Sequence, residues 1–262
     1  MDVYKTGSTI YKITCVSKIN TLFTPWQESI LWSCLQGVMG SLYTDNPDNP
    51  NSAMAVLGDF CFFAGEPNIE LVSYKQAWTK PDFIIMTARE PGWNDMIEQV
   101  YGEHAKKVIR YAIKKEPDVF DEEKLQAIAN NLAPEFELRL IDEQLYKECL
   151  KEDWSRDFVS QYFDYEQYRK IGLGVVALEG QKIVAGASSY SSYRGGIEVE
   201  VDTHKDYRRR GLASACGARL ILECRRRGWY PSWDAQNLWS VALAEKLGYH
   251  LDHEYVAYEV MS

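Results

Sequence analysis

One stretch, residues 197–218, constrains the fold more than any other part of the chain. Residues 197–203 read Ile-Glu-Val-Glu-Val-Asp-Thr, an alternation of β-branched and acidic side chains that predicts a strand with one buried face. Residues 204–207 are polar and turn-forming. Beyond them, small and apolar residues recur at the spacing of a helix stripe: Ala213, Cys216, Gly217, Leu220, Ile221 and Cys224. The sequence therefore predicts a strand, a short turn and a helix in succession.

The turn before this helix has the chemistry of an anion site. A helix N-terminus presents backbone N–H groups that lack intrahelical partners, and the helix dipole favours negative charge there. Gly211 lets the backbone approach an anion closely, and the arginine run 208–210 adds positive charge beside it. An ordinary helix start with a solvated basic run has the same local features, so both interpretations stay open at this point.

The order of residues around the turn adds a family resemblance. Arg208-x-x-Gly211-x-Ala213, after a strand, resembles the pyrophosphate-binding motif of the GNAT superfamily of acyl-CoA-dependent N-acyltransferases. No Gly-Lys-Ser/Thr follows, as a P-loop requires, and the glycine spacing is not that of a dinucleotide-binding fingerprint. Residues 231–240 and 243–249 are similar to the closing signature of the superfamily. In their Trp-Asp-Ala-x-Asn form they resemble the subgroup that includes zwittermicin-resistance acetyltransferases.

The resemblance implies a fold of the α/β (α+β) class. It implies a mixed, mostly antiparallel central sheet flanked by helices (the GNAT fold) in the C-terminal half, preceded by a smaller mixed α/β N-terminal domain. The turn-rich residues 130–134 are the best candidate boundary. We therefore expect a divergent first domain over 1–132, without a recognisable motif, and the acyltransferase domain over 133–262.

Hydrophobic periodicity and turn residues predict the individual elements. We expect helices over residues 25–38, 93–101, 121–131, 142–154 and 238–247. We expect strands over 136–141, 172–178, 183–190 and 230–233, a strand pair around Gly58-Asp59, and one or two closing strands over 249–260.

Composition excludes some functions. With 262 residues, 46% of them hydrophobic, the chain can bury a sizeable core in one or two domains. A net charge of −9 argues against binding nucleic acid through phosphate contacts, and so against an RNA-associated acyltransferase. A negative net charge suits a protein that binds a cationic small molecule, although many proteins are acidic for solubility alone.

The cysteines and the apolar runs point to a cytoplasmic protein. The six cysteines are scattered without a C-x-x-C pair, so we interpret them as reduced core thiols and expect no metal site. The first residues have no signal-peptide layout. The longest apolar run, 52–65, contains Asp59 and is too short to span a bilayer.

By resemblance, acetyl-CoA is the co-substrate, and specific segments hold it. The strand end at 201–203 would pair with pantetheine through its backbone, and backbone N–H groups of 209–214 would hold the pyrophosphate. Two residues of the last helix would line the pantetheine end. The cofactor-binding candidates are Val201, Asp202, Thr203, Arg208, Arg209, Arg210, Gly211, Leu212, Ala213, Ser214, Asn237 and Ser240.

Attack by an amine on a thioester needs a base, because only the neutral amine is nucleophilic. We favour Glu198, which the alternation places on one strand face with Glu200, where neighbouring carboxylates raise each other's pKa. An exposed acidic face is the alternative. Asp234 is a third candidate, with a helix-entry cap as its alternative role. Many superfamily members carry a Tyr where this chain has Ala244, which leaves the general acid unassigned.

The acceptor site is the least readable part of the sequence. An aromatic stripe, Trp154, Phe158 and Tyr162, together with Trp233, is our candidate lining, with core packing as the alternative. We expect an N-acetyltransferase that acts on a primary amine of a small molecule, such as an aminopolyol or an aminoglycoside-like compound, as a monomer or homodimer. The alternative from another class is a non-catalytic acyl-CoA-binding or protein-interaction module with a degenerate GNAT fold.

Overall fold

The structure is a computed structural model that describes residues 4–5, 10–80 and 82–261. The absence of a signal peptide was predicted from the first residues of the chain, and part of that segment lies outside the described residues. The chain forms two compact units. The first contains the chain up to Arg110 together with Tyr255 onward, and the second is Tyr111–Glu254.

Strands and helices alternate along the described chain. The strands are β1 (Tyr4–Lys5), β2 (Tyr11–Ile13), β3 (Ser41–Thr44), β4 (Ser52–Leu57), β5 (Phe60–Gly65), β6 (Phe83–Ala88), β7 (Ala105–Ile113), β8 (Phe136–Leu140), β9 (Gly174–Glu179), β10 (Lys182–Tyr193), β11 (Gly196–Thr203), β12 (Tyr230–Ser232), β13 (Asp234–Ala235) and β14 (Leu251–Met261). The helices are α1 (Asn20–Phe23), α2 (Ser29–Leu35), α3 (Ile69–Val72), α4 (Gly92–Tyr101), α5 (Glu122–Asn130), α6 (Glu143–Cys149), α7 (Asp153–Arg156), α8 (Tyr165–Ile171), α9 (Leu212–Arg226) and α10 (Leu238–Leu247).

The first unit is a twisted sheet with helices packed on it. Its strands follow the order β1-β2-β3-β4-β5-β6-β14-β7, and β5 and β6 run parallel. The predicted strand pair around Gly58-Asp59 is confirmed as the β4–β5 hairpin. The fully buried Trp93 of α4 stacks on Phe63 of β5 with ring centroids 4.8 Å apart, and its Nε1 donates to the Gly65 carbonyl at 3.0 Å. This contact anchors α4 on the sheet.

The second unit contains the strand and helix around which the sequence is organised. Its sheet follows the order β12-β11-β10-β9-β8, with every neighbouring pair antiparallel except β11 and β12. Ile197 and Val199 point into a core that also contains Cys216 and Leu220 of α9, so the predicted alternation of β11 and the stripe of α9 are confirmed. The fold class is the predicted one, mixed α/β with sheets flanked by helices.

The division between the units falls earlier in the chain than the expected boundary at residue 132. Leu125 and Ala129 of α5 are buried in the same core as Leu220 of α9, and this packing groups α5 with the second unit. The closing strand β14 leads back into the first unit, so the C-terminal residues also belong there.

Some elements differ from those expected. Residues 153–163 form the one-turn helix α7 followed by turns with i→i+3 hydrogen bonds, such as Phe158 N–H to Ser155 O at 3.2 Å. The aromatic residues there therefore do not form one helix stripe. The helix expected over 25–38 is limited to α2, and the closing segment is the single strand β14.

The cysteines provide a direct test of this packing. Cys34, Cys149, Cys216 and Cys224 are buried, which raises the pKa of each to about 12, and burial raises the pKa of Cys61 as well. Cys15 is exposed, and a hydrogen bond from Ser17 lowers its pKa. We expect a thiol reagent at neutral pH to modify Cys15 alone in the native protein and all six cysteines after unfolding, measured by mass spectrometry. Cys15→Ser should abolish the native-state labelling, and rapid labelling of Cys216 would contradict this core.

Candidate active site

The strand β11 is paired on both edges at its beginning and on one edge at its end. β10 pairs with it from Gly196 to Thr203, whereas β12 pairs only with Gly196, Ile197 and Glu198. In the described part of the chain, no strand pairs with residues 199–203 on the β12 side. Backbone N–H and C=O groups on that edge are therefore available to an extended ligand.

The open edge leads to a turn that exposes further N–H groups. Arg209 has φ +64° and Gly211, the N-cap of α9, has φ +79°, so two residues of this turn are left-handed. Left-handed residues in a turn can direct neighbouring backbone N–H groups toward one concavity, which is an arrangement that binds anions. A Cβ on Gly211 would meet no atom within 4 Å, so the space in front of the turn is open.

The basic side chains of the turn occupy defined positions. Arg208 donates from Nε to the Thr203 carbonyl at 3.2 Å, and Arg210 lies over the Tyr207 ring at 5.2 Å. Lys246 of α10 donates to Ser214 Oγ at 3.0 Å, which brings a further ammonium to the first turn of α9. Positive charge thus surrounds the helix N-terminus on more than one side.

Glu198 lies where β12 separates from β11. Its side chain is on the face opposite Ile197 and Val199, as predicted, but it is only 5% exposed. In the strand register Glu198 faces Ser191 of β10 and Ser232 of β12, both fully buried. The carboxyl group is therefore enclosed among hydroxyl-bearing residues, and the alternative of a fully exposed acidic face does not describe it.

Three tyrosine side chains also lie near Glu198. The Tyr193 hydroxyl lies 3.0 Å from Ser232 Oγ, and the Tyr249 hydroxyl donates to the Pro231 carbonyl at 2.7 Å. Burial raises the pKa of Tyr193, Tyr230 and Tyr249, and the negative charge of Glu198 adds to each shift. These three phenols accordingly stay neutral at physiological pH.

The other acidic candidates are more accessible. Glu200 and Asp202 are half-buried on the same face as Glu198. Burial raises the pKa of Asp202, the nearby Asp157 adds to the rise, and Arg208 opposes it. Asp234 is half-buried in β13, where it pairs with Ala112 of β7. The structure thus brings Glu198, Glu200 and Asp202 onto one strand face, with Asp234 on another strand.

Most of the aromatic candidates are packed among protein atoms. Phe158 lies against Gly186, where a Cβ would overlap its ring, and is 1% exposed. The buried Tyr162 hydroxyl lies 2.6 Å from Ser189 Oγ. Trp233 is 4% exposed and donates from Nε1 to Ser240 Oγ at 3.0 Å. Only Trp154 among these four is half-exposed, so it is the side chain directly accessible to an acceptor.

The last helix begins and packs as its sequence indicates. The side chain of Asn237 accepts the Ser240 N–H at 3.0 Å and so caps α10. Ala244 is fully buried in the core shared with α9. No hydroxyl therefore reaches the site from position 244.

Sequence reasoning missed Tyr193, Ser191 and Ser232. The run Ser-Ser-Tyr-Ser-Ser-Tyr at 188–193 was a visible signal, because hydroxyl groups at almost every position are unusual in a buried strand. Ser232 carried no such signal, since its position opposite Glu198 depends on the pairing of two strands distant in sequence.

Two surface grooves lie away from these residues. A groove of about 350 Å³ is bordered by Glu122 and Gln126 of α5 and by Leu222 and Arg225 near the C-terminal end of α9. A groove of about 290 Å³ in the first unit is bordered by Lys75, among others. Neither groove is lined by a candidate site residue.

Comparison with known proteins agrees with this architecture. A family model described as GNAT acetyltransferase matches residues 20–258. The chain belongs to the GNAT acetyltransferase family. As a GNAT acetyltransferase it is an acyl-CoA-dependent enzyme, and the non-catalytic alternative is not favoured. The family model extends over both units, and therefore also over most of the segment expected to be a divergent first domain.

Individual relatives resemble the whole chain. An uncharacterized N-acetyltransferase, YdfB of Bacillus subtilis, is 26% identical and aligns with 92% of this chain and 94% of its own length. A crystal structure of a GCN5-related N-acetyltransferase-like protein from Streptococcus suis is 48% identical, with a TM-score of 0.89 over 94% of this chain and 98% of that one. A GNAT-family acetyltransferase from Colwellia psychrerythraea, 11% identical with a TM-score of 0.52 over 96% and 99% of the two chains, shares the fold.

Two kinds of feature are absent from the described residues. No described helix combines the length and the apolar character needed to cross a bilayer. No group of three or more His, Cys, Asp or Glu side chains in the described residues is arranged to hold a metal ion.

The capping role of Asn237 can be measured separately from any role in cofactor binding. We expect Asn237→Ala to lower the free energy of unfolding by about 1 kcal/mol, because the Ser240 N–H loses its acceptor. Urea denaturation would measure the change, with Asn237→Asp expected to retain the cap. Substitution of the exposed neighbour, Gln236→Ala, is the control and should change stability little. Equal stability of Asn237→Ala and the wild type would refute the cap.

Proposed function

We propose that the protein transfers the acetyl group of acetyl-CoA to a primary amine of a small cationic molecule, with Glu198 as the base. The observation that carries the proposal is the course of the open edge of β11. It begins beside Glu198 and ends at the turn that leads to Gly211. One strand edge thus joins an anion-binding turn to a buried carboxyl group.

The length of this edge suits the cofactor. Glu198 and Thr203 are five residue steps apart, which at the rise of a strand is about 17 Å. Pantetheine is an extended chain with two amide groups, so it can lie along the edge as an additional strand does. Its pyrophosphate would then lie at the N–H groups of Arg209–Ser214, near Lys246.

The other cofactor candidates occupy two places in this arrangement. Val201, Asp202 and Thr203 offer backbone groups on the open edge, and the N–H groups there are candidates to stabilise negative charge on the thioester oxygen. Asn237 and Ser240 begin the helix that follows β13 and are proposed to border the pantetheine from that side.

The base must accept a proton from the attacking amine. Glu198 lies where the acyl end of such a cofactor would be, at the closed end of the open edge. Its carboxylate takes the proton from nitrogen as the N–C bond forms and the C–S bond breaks. No covalent enzyme intermediate is required, and the buried cysteines have raised pKa values that disfavour the thiolate.

The acceptor is proposed to carry positive charge. Glu200 and Asp202 extend the acidic face beyond Glu198, and Asp157 lies near Asp202. The whole chain, with a net charge of −9, is negative like this acidic face. The half-exposed Trp154, whose ring lies 5.6 Å from that of His204, offers an aromatic surface nearby. An aminopolyol or aminoglycoside-like amine, as the zwittermicin-resistance resemblance suggests, has this chemistry. The monomeric or homodimeric state stays a prediction.

The phosphate turn yields a binding prediction. We expect Gly211→Val to raise the acetyl-CoA dissociation constant at least tenfold, about 1.4 kcal/mol, because bulk enters the open space before the turn and strains a left-handed residue. Arg209→Ala should weaken binding by about 1 kcal/mol or less, as for an exposed charge. Isothermal titration calorimetry would measure both.

A matched glycine separates binding from backbone strain. Gly180, in the β9–β10 turn, has φ +60° and equally open surroundings. Gly180→Val should therefore reduce stability by a similar mechanism and leave the acetyl-CoA dissociation constant unchanged. Wild-type acetyl-CoA affinity in a folded Gly211→Val protein would show that the cofactor does not bind at this turn.

The proposed base yields a kinetic prediction. With putrescine, spermidine, glucosamine and neamine as acceptors, we expect thiol release from acetyl-CoA with at least one amine. Glu198→Gln should lower kcat by about a hundredfold or more, as for loss of a general base. Glu137→Gln, which changes an exposed residue of β8, is the control and should retain activity. Wild-type kcat in Glu198→Gln would exclude this base.

A further inference from the structure

The proton that Glu198 accepts from the amine must be transferred to solvent before the next turnover. An ammonium substrate gives up two protons in each turnover, of which one ends on the thiol of CoA and the other must reach solvent. If Glu198 is the base, as the proposed function states, its carboxyl group holds that second proton after the reaction. With only 5% of its surface exposed, Glu198 depends on neighbouring groups to pass the proton on.

The parallel pairing of β11 and β12 places one such group beside it. Ser232 lies directly opposite Glu198 in the register, and neighbouring strands are separated by about 4.8 Å. Ser232 is fully buried, and its Oγ lies 3.0 Å from the Tyr193 hydroxyl. Tyr193 is partly exposed, so the two hydroxyls connect the buried carboxyl group with a side chain that reaches solvent.

The backbone is shaped to allow this contact. The Tyr193 ring crosses Gly196, where a Cβ would overlap both the Tyr193 hydroxyl and the Tyr230 carbonyl. The Tyr193 hydroxyl also lies 3.4 Å from that carbonyl, in position to donate to it. When it does so, Ser232 Oγ donates to the Tyr193 oxygen, and a lone pair of Ser232 remains available to a protonated carboxyl group.

The second register neighbour of Glu198 offers no comparable route. Ser191 is fully buried, and its Oγ makes no hydrogen bond within the described residues. A proton passed to it would stay in the interior. Of the two hydroxyls that face Glu198 across the sheet, only that of Ser232 continues to a half-exposed side chain.

We infer that Ser232 and Tyr193 form a hydroxyl relay through which Glu198 returns its proton to solvent. The protonated carboxyl group donates to Ser232 Oγ, the Ser232 proton moves to the Tyr193 oxygen, and the Tyr193 hydroxyl turns from the Tyr230 carbonyl to water and passes its own proton there. The carboxylate is restored, and rotation of the two hydroxyls resets the relay. Both residues act through Glu198 and need not touch the substrate.

The protonation state of Tyr193 suits this role. Burial raises its pKa, and the charge of Glu198 raises it further, so the phenol stays neutral and can accept and donate at once. Tyr230, Tyr249 and Cys224 are titratable groups near it, and burial raises the pKa of each; Arg194 follows in the adjoining turn.

A second tyrosine–serine pair provides a matched control. Tyr168 and Ser188 also have hydroxyl oxygens 3.0 Å apart in the same unit, and Ser188 faces Glu200 in the register. Tyr168 is only 2% exposed, so this pair does not lead to solvent. Loss of the Tyr168 hydroxyl removes a buried hydrogen bond without interrupting an exit from Glu198.

The experiment compares Tyr193→Phe, Ser232→Ala, Ser232→Thr and Tyr168→Phe in the acetyl-CoA assay with the best acceptor of the amine panel. We expect Tyr193→Phe and Ser232→Ala to lower kcat about tenfold or more, with the acceptor KM and the acetyl-CoA dissociation constant unchanged. Ser232→Thr, which keeps the hydroxyl, should retain most of kcat. Adding imidazole, a small diffusible buffer, should restore kcat in Tyr193→Phe. Tyr168→Phe should keep the wild-type kcat and gain nothing from imidazole.

The outcomes separate the relay from the proposed function. Wild-type turnover with an unchanged kcat in folded Tyr193→Phe would overturn the relay and leave the proposed function intact. A reduced kcat that imidazole does not restore, or an equal loss in Tyr168→Phe, would mark a structural effect and also overturn the relay. No turnover by the wild type with any amine of the panel would overturn the proposed acceptor class together with the relay. If Ser232→Ala fails to fold, the half-exposed Tyr193 position carries the test.

Discussion

The separation of β12 from β11 after three residue pairs is the constraint on which the candidate site depends. A strand in the middle of a sheet satisfies its backbone hydrogen bonds on both edges, and an interior edge left unpaired requires another partner. In β11 this change occurs at Glu198. The same residue thus marks the end of the pairing with β12 and the start of the edge that we propose for the cofactor. This change of pairing explains how one carboxyl group can be buried and still adjoin the proposed ligand site.

Electrostatics divide the site along this strand. Beyond Thr203, the left-handed turn, the α9 N-terminus and the basic side chains around it favour a phosphate-bearing ligand. On the Glu198 face, the carboxyl groups favour a cation. Under the proposed function, an anionic acyl donor and a cationic acceptor would therefore be drawn to different parts of one element and would meet where the pairing with β12 ends.

The elements of the second unit were largely predictable, and the candidate site only in part. The alternation over 197–203 and the stripe after Gly211 are periodic and local, so β11 and α9 follow from the sequence. The aromatic spacing at 153–163 predicted a continuous stripe, yet short i→i+3 turns dominate there. The expected boundary at residue 132 differed from the observed units because α5 packs on a helix distant in sequence.

The sequence by itself determined the strand, the turn and the helix of residues 197–226 and the identity of the acidic face, because these depend on residue order within one segment. Only the tertiary structure decided that Glu198 is buried rather than exposed, and that Ser232 and Tyr193 adjoin it. These contacts join β10, β11 and β12, whose register is set by packing across the whole sheet. Local periodicity specifies which face of a strand a residue occupies, but not which residue of another strand lies opposite it.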